Sequence, residues 1–122
     1  MNAGCPFCQP AEVLLENELA CVIRDRFPAS PGHLLILPRR HVADWFETTA
    51  RERLAMFELA DAAKRRLETE SRPDGFNLGV NVGEVAGQTI FHVHLHLIPR
   101  YRGDVAAPRG GVRGVIPSKQ NY

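Results

Sequence analysis

The sequence predicts an α+β fold, a mainly antiparallel sheet with one long helix against one of its faces and a short N-terminal hairpin. Three observations carry this. Several short stretches alternate apolar and polar residues, one long stretch follows the helical period, and the connections between neighbouring strands are too short for parallel crossovers. The 122 residues suit a single domain, 1–122, and 44% hydrophobic content is enough for a core without a disulfide framework.

Taken in order, Val13 to Leu15 and Leu19 to Arg24 flank Glu16-Asn17-Glu18 and read as a hairpin with Cys21 and Ile23 on one face. A turn-forming run, Phe27-Pro28-Ala29-Ser30-Pro31-Gly32, leads into His33 to Leu37, apolar enough for a strand buried on both faces and ended by Pro38. Asp44, Thr48 and Thr49 are candidate N-caps for a helix over Arg51 to Leu67, with Leu54, Phe57, Leu59, Ala63 and Leu67 as its apolar stripe. Pro73 and Gly75 follow it. Phe76 to Val82 and Phe91 to Ile98 alternate as two strands joined through Gly83 and Gly87, and therefore pair antiparallel. Residues 101–122, rich in Gly and Arg, read as an irregular tail in which only Val115-Ile116 has strand character.

Fifteen Lys and Arg against fourteen Asp and Glu give a net charge of +1, so no nucleic acid or membrane partner is expected and any phosphate recognition must be local. The N-terminus lacks the pattern of a secretory signal and no stretch is long and apolar enough to span a bilayer, which points to the cytoplasm. In that reducing compartment Cys5-Pro6-Phe7-Cys8 suits metal or redox chemistry. It precedes the first strand, whereas a redox pair normally follows a strand and opens a helix, so half of a zinc site is the better reading. Cys21 reads as a small core residue.

The most informative segment is His92-Val93-His94-Leu95-His96. In an extended chain the three imidazoles share one face, with Phe91, Val93, Leu95 and Leu97 on the other. Five histidines placed at random produce such a trio in on the order of one chain in 250, so the pattern calls for a chemical reason. A solvent-facing row or a metal-scavenging patch are the plainer alternatives. Gly87-Gln88-Thr89 just before it supplies a turn, an amide and a hydroxyl suited to phosphate oxygens, and Arg100 lies just beyond.

The run Gly87-Gln88-Thr89-Ile90-Phe91-His92-Val93-His94-Leu95-His96-Leu97-Ile98-Pro99-Arg100 resembles the motif of the histidine-triad (HIT) superfamily, and Arg24 to His41 resembles its strand-turn-strand. The likeness covers residues 3–102 and implies a HIT-like fold, usually dimeric. By this resemblance His94 is the nucleophile on the α-phosphorus of a purine nucleotide or dinucleotide, a role requiring a neutral imidazole. His96 and His33 would hold phosphate oxygens and assist proton transfer, Gln88 and Thr89 would lie near the scissile bridge, Asn81 on phosphate and Asp25 on the ribose hydroxyls. The resemblance also completes the metal site: Cys5, Cys8, His41 and His92 would hold a structural zinc, making 1–10 a zinc-binding N-terminal segment.

The implied activity is hydrolysis or transfer at the α-phosphoryl group of a dinucleoside polyphosphate (Ap4A-like) or a nucleoside phosphoramidate, through a nucleotidyl-histidine. His96 stands where uridylyltransferase relatives carry glutamine, which disfavours uridylyl transfer. The tail resembles that of bacterial dinucleoside tetraphosphate hydrolases, and Arg102, Arg109 and Arg113 are either contacts to distal phosphates or solvated. Two other classes remain: a zinc-stabilised nucleotide-binding or regulatory module with negligible turnover, and a metal-trafficking protein using the histidine row.

Overall fold

Two residues suffice for the first strand because Asn17 closes the turn behind it: its Oδ1 accepts from the backbone N–H of Leu19 at 3.1 Å and of Ala20 at 2.9 Å. Strand β1 (Leu15–Glu16) thereby folds onto β2 (Ala20–Arg24) as the expected hairpin. The computed structural model describes residues 4–122, so residues 1–3 of the expected zinc-binding segment lie outside the described residues.

Strand β3 (Leu34–Pro38) is buried along its whole length and pairs with β2 from Ala20↔Pro38 to Arg24↔Leu34. Helix α1 (Ala50–Glu70) follows, then β4 (Gly75–Val80) and β5 (Leu95–Arg100). The five strands form one antiparallel sheet in the order β1-β2-β3-β5-β4, with β4 reaching its place at one edge by pairing to β5. This is the α+β architecture expected from the sequence.

Alternation along the strands sorts side chains onto two faces with different coverings. Ala20, Val22, Leu34, Ile36, Leu95 and Leu97 meet α1 through Met56, Leu59, Ala60, Ala63 and Leu67. Cys21, Ile23, Leu35 and Leu37 face the other way, onto Phe7 from the N-terminal segment, with Ile90 and Cys5 at the margin. Cys21 and Ile23 share a face, as the pattern predicted, and the second face is the one that borders a cleft.

Thr49 is the residue that caps α1. Its hydroxyl accepts from Glu52 N at 3.0 Å while Glu52 Oε1 accepts from Thr49 N at 2.8 Å, a reciprocal box. Asp44 instead caps a short 3-10 turn over Trp45–Glu47. The apolar stripe differs from the expected one: Leu54 and Phe57 are exposed, and Met56 and Ala60 take the core positions. Spacing from Leu59, Ala63 and Leu67 places 56 and 60 on the buried face and 54 and 57 beside it.

Strand β5 also begins later than its alternation suggested. Neither neighbour continues a ladder past Leu95: β4 stops at Val80, opposite Leu95, and β3 ends in Pro38, which has no N–H to give. Val93 N donates instead to Val42 O at 2.8 Å. His92 and His94 therefore lie in a bent segment ahead of the strand, and Phe91 is turned outward rather than into the core. In the tail, 3-10 turns at Gly111–Val115 and Pro117–Lys119 replace any strand.

Candidate active site and metal centre

The bend ahead of β5 divides the three histidines. His94 and His96 have ring centroids 5.0 Å apart and line a cleft of about 830 Å³ on the sheet face opposite α1. His92 is completely buried and turns toward the cysteine pair. The expectation of three imidazoles on one face is corrected accordingly, because only residues within the ladder are bound to its alternation. Among the described residues His92, His94 and His96 do not form one row.

Hydrogen bonds to atoms of fixed polarity assign the ring tautomers. His94 Nδ1 lies 3.0 Å from the carbonyl of His92, which only accepts, so Nδ1 carries a proton and the neutral ring is the tautomer with its lone pair on Nε2. His33 Nδ1 accepts from the backbone N–H of Ala29 at 2.9 Å, so its Nε2 donates, to His96 Nδ1 at 2.9 Å. His96 is left with its proton on Nε2. Burial above all holds His33 below its ordinary pKa and pushes His96 down to about 4, in each case against the opposing charge of Asp25. These two rings form a neutral pair.

Gly32 makes this arrangement possible. At φ +91°, a conformation L side chains rarely adopt, it turns the chain into His33, and a Cβ there would meet Leu67 Cδ2 at 2.8 Å. Ser30 secures the same turn by donating to Pro99 O at 2.6 Å.

Asp25, Asn81 and Thr89 line the cleft with His94 and His96. Asp25 accepts from Phe27 N at 2.8 Å and its other oxygen lies 3.4 Å from His33 Nε2, which leaves acceptor capacity on a carboxylate. Gln88 is placed differently. It is buried, accepts from Gly83 N at 2.9 Å and donates to Ala43 O at 2.8 Å and Ile90 O at 3.2 Å, so its amide fastens the loop before the histidines and does not line the cleft. The tail arginines also lie elsewhere: Arg109 and Arg113 stack on Tyr122, each 4.8 Å from the ring centroid, and Arg102 approaches Asp74. Arg24 and Arg26 line the cleft in their stead.

Sequence reading missed these two arginines, and also Phe7. That ring belongs to the Cys-x-x-Cys turn, where it counted only as a spacer, yet it is buried and forms part of the cleft wall with Ile23, Leu35 and Ile90. The signal was present in an apolar residue between two metal-ligand types.

Cys5, Cys8, His41 and His92 converge, with their donor atoms all within 4.8 Å of one another. A tetrahedral zinc with ordinary bond lengths would place sulfur and nitrogen ligands about 3.6 Å apart. Cys8 Sγ to His41 Nδ1 is 3.2 Å, Cys5 Sγ to His92 Nδ1 is 3.5 Å and Cys8 Sγ to His92 Nδ1 is 3.7 Å, so the donor set fits that ion. His92 Nε2 donates to Pro38 O at 2.7 Å, fixing the tautomer that presents Nδ1 to a metal. Asp25, His33 and His96 also cluster, but His33 already accepts an amide at Nδ1. A metal at its Nε2 would demand an imidazolate, so this second group is better described as a hydrogen-bonded cluster.

The chain matches the HIT domain family over residues 7–103, and it belongs to that family. An AP-4-A phosphorylase of Mycobacterium tuberculosis is 34% identical over 93 residues, 75% of this chain and 48% of that protein, so the chain spans about half of it. An adenylylsulfatase of Arabidopsis thaliana is 37% identical over 110 residues, 85% of this chain and 56% of that one. Among solved structures, a Zn-bound histidine triad family protein from Mycobacterium smegmatis superposes with a TM-score of 0.76 at 32% identity, covering 85% of this chain and 80% of that chain.

Proposed function

We propose that this protein is a nucleotide hydrolase or transferase that cleaves at the α-phosphoryl group, with a dinucleoside polyphosphate as the first candidate substrate and a nucleoside phosphoramidate as the second. The observation that carries the reading is His94 in the wall of the cleft with Nδ1 bonded to the His92 carbonyl, which in the neutral ring leaves the lone pair on Nε2. Nε2 attacks the α-phosphorus, the bond from phosphorus to the bridging atom breaks, and the leaving group takes the electron pair. Water then attacks the phosphorus of nucleotidyl-His94, the phosphorus–Nε2 bond breaks with its electron pair returning to the ring, the water's proton passes to solvent, and a nucleoside monophosphate is released. A polyphosphate departs as an anion and needs no proton at cleavage. This suits a site whose other two histidines are neutral, and it places the polyphosphate first.

His96 Nε2–H donates to a non-bridging oxygen, and His33 behind it keeps that proton in place. Asn81 and Thr89 supply further donors, Asp25 accepts the ribose hydroxyls, and Phe7, Ile23 and Ile90 provide an apolar wall for a purine base. The zinc ligands are Cys5, Cys8, His41 and His92; zinc supplies no open position for chemistry there and acts as a structural tie. Thiolate ligands suit the reducing cytoplasm. The names of the phosphorylase and adenylylsulfatase relatives are consistent with one α-phosphoryl chemistry serving different leaving groups.

The chain also forms a homodimer in this reading, supported by the place of β4 at the edge of the sheet and by exposed Leu78 upon it. Sedimentation equilibrium is expected to give twice 13.6 kDa, and a monomer mass at micromolar concentration would refute it. Activity is tested by incubating purified protein with a panel of dinucleoside polyphosphates and phosphoramidates, beside His94→Ala. Turnover is expected to fall at least about 10³-fold in the variant. Nucleotide binding without product in the unaltered protein would instead make it a zinc-stabilised binding module.

A further inference from the structure

We propose that the metal centre and the nucleotide cleft are energetically linked through Phe7, so that a bound nucleotide tightens the hold on zinc and loss of zinc weakens the nucleotide. The inference rests on the two sites as read above and adds a regulatory connection between them.

Phe7 belongs to both. It lies in the turn between Cys5 and Cys8, closed by Cys8 N donating to Cys5 O at 3.3 Å. Its ring stands edge-on to His94, centroids 5.0 Å apart at 76°, and to the ligand His92, at 6.1 Å and 84°. It is 8% exposed and packs on Ile23, Leu35 and Leu37 of the sheet. The chain immediately beyond it, Gln9 to Glu12, continues along the cleft.

Little else holds this segment. Residues 5–13 belong to no strand or helix, and the next backbone tie to the sheet is Leu14 N to Val22 O at 2.8 Å. Glu12 pairs with Arg24, but both side chains are more than half exposed, so the pair contributes little. The metal ligands and the Phe7 ring are thus the principal anchors of one cleft wall. Releasing the cysteines frees the turn, removes the ring from beside His94 and opens the wall against which a base would pack. Conversely, a base packed on Phe7 holds the turn with Cys5 and Cys8 in place. Linkage of this kind is reciprocal: whatever factor the nucleotide applies to zinc affinity, zinc applies to nucleotide affinity.

The test measures zinc dissociation from the zinc-loaded protein by competition with a chromogenic chelator, with and without saturating AMP or GMP, whichever binds more tightly. Affinity of the same nucleotide is measured by calorimetry on zinc-loaded and zinc-free protein. Both affinities are expected to shift by one common factor of about tenfold. Phe7→Ala, with its four ligands intact, is expected to bind zinc while losing most of that factor. Zinc and nucleotide that bind independently overturn the linkage alone. Undiminished linkage in Phe7→Ala overturns the route through this ring, since general stabilisation of the folded chain would survive the substitution. Failure to bind one zinc overturns the metal assignment and the proposal together, and failure to bind either nucleotide overturns the functional reading with it.

Discussion

At His94, in the wall of the cleft, the decisive proton is the one on Nδ1, because its bond to the His92 carbonyl leaves the lone pair of the neutral ring on the opposite nitrogen. A backbone acceptor cannot reverse its polarity, so the assignment survives side-chain motion elsewhere. The partner residue His33 depends on a different local device, the left-handed turn at Gly32. Alanine at this position would be strained in its backbone and crowded against Leu67. Gly32→Ala is therefore expected to destabilise the fold by more than about 1 kcal/mol, read as a lowered urea midpoint with unchanged slope. A midpoint equal to that of the unaltered protein would show that the turn relaxes at no cost.

Among the elements, α1 does more than cover the sheet. Glu52 in its first turn closes the capping box and also accepts two bonds from Arg40, Nε to Oε2 and Nη2 to Oε1, each at 2.9 Å. Arg40 immediately precedes His41, so the helix start is tied to the segment carrying that member of the Cys5, Cys8, His41 and His92 cluster. Its own hydrogen bond to Arg40 is the main reason the Glu52 carboxyl sits below its ordinary pKa. Thr49→Ala removes half of the box and is expected to cost about 1 kcal/mol in thermal or urea unfolding, leaving Arg40 paired. A stability unchanged by that substitution would mean the Glu52 half suffices. Strand β5 illustrates the opposite behaviour: its start is dictated by neighbours, since alternation persists in sequence through His92 but the ladder does not.

For the molecule as a whole, buried neutral histidines make folding sensitive to acid. His33 and His96 both titrate below the ordinary value of 6.5 in the folded chain, His96 at about 4, chiefly because burial penalises their charged forms. Between those values the unfolded chain binds more protons than the folded one, so stability rises with pH there. Their contribution is complete above about pH 6.5 and is lost as pH falls toward 4. Urea unfolding across this window is expected to show declining stability, with a shallower decline in His96→Gln. Identical slopes would place the proton uptake on other groups. Among the described residues no helix is long and apolar enough to cross a membrane, and the exposed surface includes Leu54, Phe57 and Leu78.

Local rules suffice for what is periodic or chemically distinctive. Alternation gives the antiparallel strands, helical spacing gives α1, and the residue types at 5, 8, 92, 94 and 96 mark candidate site positions, because strand pleat, helix turn and ligand preference belong to short stretches of chain; His33 and His41 were singled out only by the family resemblance. Tertiary structure decided the rest. It placed Met56 and Ala60 in the core in preference to Leu54 and Phe57, committed Gln88 to backbone partners, and drew Phe7 into the cleft wall. It also turned His92 away from His94, because a ladder exists only as far as both neighbouring strands can supply hydrogen-bond partners, and those partners lie far away in sequence.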